Sequence, residues 1–276
     1  ELQRQVTIKT RELKKEKEIV ELQNTTIIDS IDYAKTIQEA ILPSPKAIEM
    51  LFPRSFILYK PKAIVSGDFY WIGKQDLKII CAAADCTGHG VPGAFMSLLS
   101  NNILENVVQK KLNTSPSSIL DSLNEEMIST MAKGIERSSV KNGMDIALIV
   151  IDPATNTLEY AGAHNSLYLV RDGVLSEIKA DKFSIGSLNK GEPLRFTNHS
   201  IDLQQNDLIY LFSDGFADQI GGPNRKKFYY QTFKDLLISI CKLDMKEQKR
   251  CLDETIVNWK SDYDQTDDIL VIGIKI

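Results

Sequence analysis

The sequence predicts an α+β fold in which helices cover the faces of antiparallel sheets, led in by one long helix. Three observations predict it. Apolar runs of strand length, bounded by turn residues, recur from residue 55 to residue 276. Two pairs of helical stretches interrupt them, and residues 1 to about 42 contain neither Gly nor Pro while repeating an apolar residue at every seventh position.

The heptad positions are Val6, Leu13, Val20, Ile27, Ala34 and Ile41. The second seam is poorer, with Lys9, Glu16, Gln23 and Ser30 before Ile37 restores an apolar residue. A charged, solvated linker helix fits this stretch as well. The rise in apolar content toward Ile31, Ile37, Ile41 and Leu42 favours a coiled-coil stalk over residues 1–44, and hence a parallel homodimer. Pro43-Ser44-Pro45 should stop the helix.

A single compact domain is expected from 45 to 276. Its first strands are Ser55–Lys60, Ser66–Gly73 and Leu77–Ala84, with Lys74-Gln75-Asp76 as the turn between the last two. Helices are expected from Pro92 to about Lys111 and from Pro116 to about Lys133, the second with Ile119, Leu120, Leu123, Met127, Ile128 and Met131 on one face. The two methionines on that face suit a core. Strands return at Asp145–Ile151 and Thr157–Ala161, and the pair Asn165–Val170 and Val174–Ile178 is joined through Asp172-Gly173, a strong hairpin signal. No strand-like regularity is visible from Asp181 until Asp207–Ser213. Helices over about Tyr230–Cys241 and Lys246–Trp259 precede a last core strand, Ile269–Ile276.

Composition narrows the function. The 276 residues are 43% hydrophobic and 25% charged with a formal net charge of -4, and the lysines are dispersed, which argues against nucleic acid as a partner. Cys81, Cys86, Cys241 and Cys251 form neither a C-x-x-C pair nor a regular spacing, so a reducing, cytoplasmic setting is expected. No signal peptide is expected, and the apolar runs are too short to span a bilayer. The helical pattern is already under way at Glu1, so a longer protein is expected, with an upstream sensor that could itself be membrane-attached.

One stretch organises the rest: Ala82-Ala83-Ala84-Asp85-Cys86-Thr87-Gly88-His89-Gly90-Val91-Pro92-Gly93-Ala94. A buried strand delivers the Asp85 carboxylate to a glycine-rich turn, with no Lys or Arg between Lys78 and Lys110. Desolvating such a charge is costly unless it is paired, hydrogen-bonded or bound to a cation. Capping of the following turn is the simpler role open to it. Asp214 likewise ends a strand, Asp267 and Asp268 precede one, and Asp68 enters one. Neighbouring antiparallel strands bring such ends to one edge, where all-oxygen ligation would suit Mg²⁺ or Mn²⁺.

Ser66-Gly67-Asp68-Phe69-Tyr70, the Asp85-to-Ala94 stretch, Ser213-Asp214-Gly215 and Asp267-Asp268-Ile269, in this order, resemble the bacterial branch of the metal-dependent PP2C-type (PPM) serine/threonine phosphatases, the branch typified by SpoIIE and RsbU. The resemblance covers roughly residues 31–276. It implies two antiparallel sheets packed face to face and flanked by helices. It also implies that Asp85 bridges two Mn²⁺ or Mg²⁺ ions, that Asp214 and Asp267 complete the second ion's shell, and that Asp68 acts at the first, directly or through water. The family commonly has glycine where this chain has Cys86, with its backbone carbonyl facing a metal; a carbonyl is still present here.

By the same resemblance the reaction is hydrolysis of phosphoserine or phosphothreonine on a partner protein, such as an anti-sigma-factor antagonist, under control of the upstream helix. Two ions roughly 3.5–4 Å apart activate a shared water and neutralise the phosphoryl oxygens, so no nucleophilic Ser, Cys or His is assigned. No arginine matches the phosphate-binding arginine of eukaryotic relatives. Lys60 and Lys62 are nearby in sequence, but solvated roles suit them better. His89 has a proton to offer a leaving alkoxide and also suits a turn residue; Asp145 could hold a third ion or cap its strand; His164 and His199 fit structural positions. The competing readings are a phosphatase fold that binds without turnover, and a phosphohydrolase acting on a small molecule, for which no phosphate-cradling loop is present.

Overall fold

A computed structural model describes residues 2–110, 115–132, 143–187 and 194–276. The chain opens with α1 (Leu2–Ile41), which ends before Pro43 as expected, and then α2 (Pro45–Leu51). Pro43-Ser44-Pro45 is expected only as a stop. Pro45 is also a helix start, because proline loses nothing at the first helical position and Ser44 Oγ accepts the Ala47 N–H at 3.2 Å.

Strands β1 (Ser55–Lys60), β2 (Asp68–Gln75) and β3 (Lys78–Cys86) follow, then α3 (Gly90–Lys110) and α4 (Pro116–Ala132). The expected helix ends at Lys111 and Lys133 lie outside the described residues. β2 runs two residues further than its pattern suggested, so the hairpin turns on Asp76-Leu77, with Asp76 at φ 54. β4 (Met144–Asp152), β5 (Thr157–Ala163), β6 (Leu167–Arg171) and β7 (Val174–Ile178) come next, and the β6–β7 turn has both Asp172 and Gly173 at positive φ. β8 (His199–Asp202) falls where no strand was expected. It has four residues, alternates between half-buried and exposed, and among the described residues pairs only with β5, at a sheet edge, so it carries little apolar pattern.

The remaining elements are β9 (Leu208–Phe212), α5 (Gly215–Asp218), the small hairpin β10 (Ile220–Gly221) and β11 (Lys226–Lys227), α6 (Tyr230–Ile240), α7 (Met245–Lys260) and β12 (Ile269–Lys275). Asp244 caps α7, accepting the Lys246 and Glu247 N–H groups at 2.9 Å each.

Two five-stranded antiparallel sheets result, in the orders β1-β12-β9-β6-β7 and β2-β3-β4-β5-β8. Between them Cys81, Ala83, Ile149, Leu211, Leu270 and Ile272 form an inter-sheet core. The outer face of the second sheet packs Ala82, Ala84, Ile146 and Leu148 on Leu104, Leu120 and Leu123 of α3 and α4. The outer face of the first packs Tyr210, Phe212 and Val271 on Phe233, Leu237 and Leu252 of α6 and α7. β3 and β12 are therefore buried on both faces, which is why they read as continuous apolar runs; each large side chain so buried contributes about 1.5–3 kcal/mol. Along α1, Val6, Leu13, Val20 and Ile27 are exposed in the single chain.

Candidate metal centre

The three central strands set the first part of the site. Asp85 at the end of β3 pairs in register with Asp68 of β2 on one side and Asp145 of β4 on the other. Residues directly opposite in an antiparallel pair share a face. Alternation with Tyr70, Ala83 and Ala147 puts that face toward the inter-sheet core, at its rim.

The other sheet supplies the rest. β9 ends at Phe212, and Ser213 then ties the two sheets together: its Oγ accepts the Leu270 N–H at 3.0 Å and donates to Asp68 Oδ2 at 2.6 Å. Asp214 follows. The chain can turn there into α5 because Gly215 lies against the Asp268 carbonyl, where a Cβ would collide. Asp267 and Asp268 precede β12 and part company. Asp268 is buried, and its two carboxylate oxygens accept the Lys62 N–H and the Gly67 N–H, each at 2.7 Å. It clamps the segment that delivers Asp68. Asp267 instead faces a cleft of about 230 Å³, lined also by Asp85, Asp145, Asp214, Ser184 and the Cys86–His89 turn.

Asp68 lies beneath that cleft with 1% of its surface exposed. Burial drives its pKa well above the usual carboxylate range, the Ser213 bond opposes this, and Asp268 and Asp214 add to the rise. Burial also drives Asp85 well up, reinforced by Asp68, Asp214, Asp267 and Asp145. Asp214 is pushed up to about 6, by burial first and then by Asp218, Asp267 and Asp145. Asp145 is raised by burial, against the hydrogen bond it accepts from Ser184. These carboxylates crowd one another with little opposing charge, so their ionised forms are disfavoured.

Cys86 lies on the opposite side of β3. Its thiol points into the helix-covered core and donates to Ser100 Oγ at 3.6 Å, and burial raises its pKa. Only the residue's main chain can face the carboxylates. Beside it, Gly67 admits no side chain, because a Cβ there would collide with the Gly88 carbonyl. Thr87 anchors the turn, its N–H and hydroxyl both donating to the Gly143 carbonyl at 2.9 Å, and His89 is exposed on the cleft wall.

Other candidates fall elsewhere. Lys60 is paired with Asp253 away from the cleft, and Lys62 meets the site only through its backbone. His199 stacks on Tyr160 at 5.8 Å, and His164 occupies a positive-φ turn. Asp268, expected among the converging carboxylates, is instead taken up by backbone N–H groups, and nothing in the local sequence marks Ser213 or Ser184 for the roles they play. Lys227, which no sequence pattern ties to the site, pairs with Asp218 at 2.7 Å and lowers the pKa of Asp214.

Among the described residues no three His, Cys, Asp or Glu side chains are drawn into a closed metal cluster. The donor chemistry is nonetheless that of a hard divalent cation: carboxylate oxygens from both sheets on one cleft, with their negative charge largely unbalanced.

Residues 75–276 match the family model described as stage II sporulation protein E (SpoIIE). The chain belongs to the SpoIIE family. Among solved structures it is similar to the SiaA-PP2C domain of Pseudomonas aeruginosa, with 31% identity and a TM-score of 0.83 over 92% of this chain and 98% of that one. The PP2C phosphatase domain of SpoIIE from Bacillus subtilis, solved with a fragment of its regulatory domain, matches at 19% identity and a TM-score of 0.64 over 80% of this chain and 62% of that one. RsbX in complex with magnesium matches at 16% identity and a TM-score of 0.54 over 80% and 94%. No curated protein sequence matches the chain. The SpoIIE-family chain thus has the PP2C fold, with Asp85, Asp145, Asp214 and Asp267 on one cleft.

Proposed function

We propose that this chain is a metal-dependent protein serine/threonine phosphatase, with residues 45–276 as the catalytic unit and residues 1–44 as a dimerising, regulatory stalk. One observation carries the reading: Asp85, in register with Asp68 and Asp145, shares a cleft rim with Asp214 and Asp267 from the opposite sheet. In this reading Asp85 would serve two Mn²⁺ or Mg²⁺ ions, Asp214 and Asp267 would complete the shell of the second, Asp68 would act at the first directly or through water, and the Cys86 carbonyl would face a metal. When bound, such a pair supplies an activated water and neutralises charge on the phosphoryl oxygens.

The chain's own contribution is to hold those ligands. Ser213 orients Asp68, Asp268 fixes the Lys62–Gly67 segment, and Thr87 pins the turn after Asp85. A cleft of about 230 Å³ admits a phosphoryl group and is smaller than the roughly 300–1,000 Å³ of sites that engulf a small molecule. This favours a phosphorylated side chain on a partner surface, for which an anti-sigma-factor antagonist is the proposed class. The magnesium in RsbX supports the choice of ion.

Control through the stalk is supported by one buried contact. Gln38, near the end of α1 and 3% exposed, donates through Nε2 to the Ser66 carbonyl at 2.6 Å and to Ser97 Oγ of α3 at 2.8 Å, and its Oε1 accepts the Ser66 N–H at 3.0 Å. The stalk therefore touches both the segment entering Asp68 and the helix following Asp85. Among the described residues no helix is long and apolar enough to cross a membrane; the four free cysteines support the proposed cytoplasmic setting.

The test is Mn²⁺-dependent hydrolysis of an aryl phosphate by the full chain and by Asp85→Asn and Asp214→Asn. Loss in both variants is expected. Activity that persists in both contradicts the two-metal assignment.

A further inference from the structure

A second cleft, about 710 Å³, opens along the outer edge of β1 between α2 and α7. β1 ends its sheet: it pairs with β12 on one side, and among the described residues no strand pairs with the other. The Lys275 N–H donates to the Arg54 carbonyl at 2.8 Å. Antiparallel alternation then turns Phe56, Leu58 and Lys60 toward β12 and leaves the N–H and C=O groups of Ser55, Ile57 and Tyr59 pointing outward. Among the described residues none of these outward groups has a hydrogen-bond partner. An open edge of this kind is a template for another strand, and folded proteins ordinarily cover or blunt it.

The walls say what would fit. Ile48 and Phe52 give one side an apolar surface. From α7, Lys246 and Lys249 face the cleft with no ion pair among the described residues, opposed by Glu49 on α2, while Lys60 and Asp253 neutralise each other. A second copy pairing edge to edge about a two-fold axis would bring the same lysines together, and like charges oppose that.

We propose that β1 accepts an extended, acidic peptide segment of a partner protein as an added strand. Its main chain pairs with Ser55, Ile57 and Tyr59, and its carboxylates meet Lys246 and Lys249. The site is separate from the carboxylate cleft but touches it through one side chain. Tyr59 Oη donates to the Asp68 carbonyl at 3.1 Å, and its ring meets Tyr70 edge-on at 5.8 Å. A strand laid on β1 would therefore fix the backbone of the tyrosine that supports Asp68.

The test uses the full chain and a capped synthetic peptide alternating valine and glutamate, with amide-resolved hydrogen exchange and fluorescence anisotropy as readouts. Added peptide should slow exchange at the Ile57 and Tyr59 amides. The Lys246→Glu/Lys249→Glu variant should bind it about tenfold more weakly, as two reversed rim charges predict, and should prefer the lysine counterpart of the peptide. Three results would overturn the proposal: no slowing at those amides, equal affinity in the double variant, or slowing without peptide that grows with protein concentration, which would make a second copy the occupant.

Discussion

Asp68 stands directly across the β2–β3 pair from Asp85, two carboxylates on one face at the rim of the inter-sheet core. Burial raises the pKa of both, and Asp68 adds to the rise at Asp85. Without a cation this arrangement opposes folding. Asp85→Asn should therefore raise the melting temperature of the chelator-treated protein, by about 2–4 °C for each 1 kcal/mol of repulsion relieved. Mn²⁺ should raise the melting temperature of the wild type further, and the same variant should lose that rise. Differential scanning fluorimetry in EDTA and in Mn²⁺ reads both, and a variant less stable than wild type in EDTA would contradict the account.

Asp214 carries the same conflict into pH. Its pKa is about 6 in the folded chain against an ordinary value of 3.8, so the folded state holds the proton more tightly. The stability this contributes is complete below the ordinary value and lost as pH rises through about 6. In EDTA the melting temperature at about pH 5.5 should exceed that at about pH 7.5, and Asp214→Asn should flatten the trend. A wild-type protein that loses stability on mild acidification would count against it.

Much of this could be read from the chain, and the reasons for the rest are specific. Strands buried on both faces, such as β3 and β12, announce themselves as apolar runs; β8, with two half-buried residues in four, does not. The expected three-residue turn Lys74-Gln75-Asp76 would set Asp68 opposite Ala82; the observed two-residue turn, with Gln75 opposite Lys78, places Asp68 opposite Asp85, and no apolar pattern in Lys74-Gln75-Asp76 separates the two. Asp145 reaches the same row only after α3 and α4, a separation over which sequence fixes no register. Asp267 and Asp268 differ by one step of strand alternation: Asp268 shares the inward parity of Leu270 and is spent on backbone N–H groups. Local polarity cannot tell them apart.

Ser213 can be separated from the proposed metal ligands it supports. Ser213→Ala removes the donor to Asp68 and leaves the Leu270 N–H without its acceptor in a buried place. An unsatisfied buried group of this kind costs about 1–3 kcal/mol. The variant should melt lower than wild type in EDTA and need more Mn²⁺ for half-maximal aryl phosphate hydrolysis. Unchanged Mn²⁺ dependence would reduce Ser213 to a link between sheets.

Gln38 and the heptad positions of α1 should separate in the same way. Removing residues 1–37 takes away Val6, Leu13, Val20 and Ile27 but leaves Gln38 beside Ser66 and Ser97. Gln38→Ala keeps the stripe and empties the contact. The truncation should shift the protein toward monomer by analytical ultracentrifugation. Gln38→Ala should keep its oligomeric state while weakening Mn²⁺ activation by up to about tenfold, because the Ser66 N–H and C=O that precede Asp68 lose a buried partner. Loss of the dimer with turnover and Mn²⁺ dependence both unchanged would show that the stalk does not control the site. Wild-type activation in Gln38→Ala would show that its end is not coupled to the metal centre through this side chain.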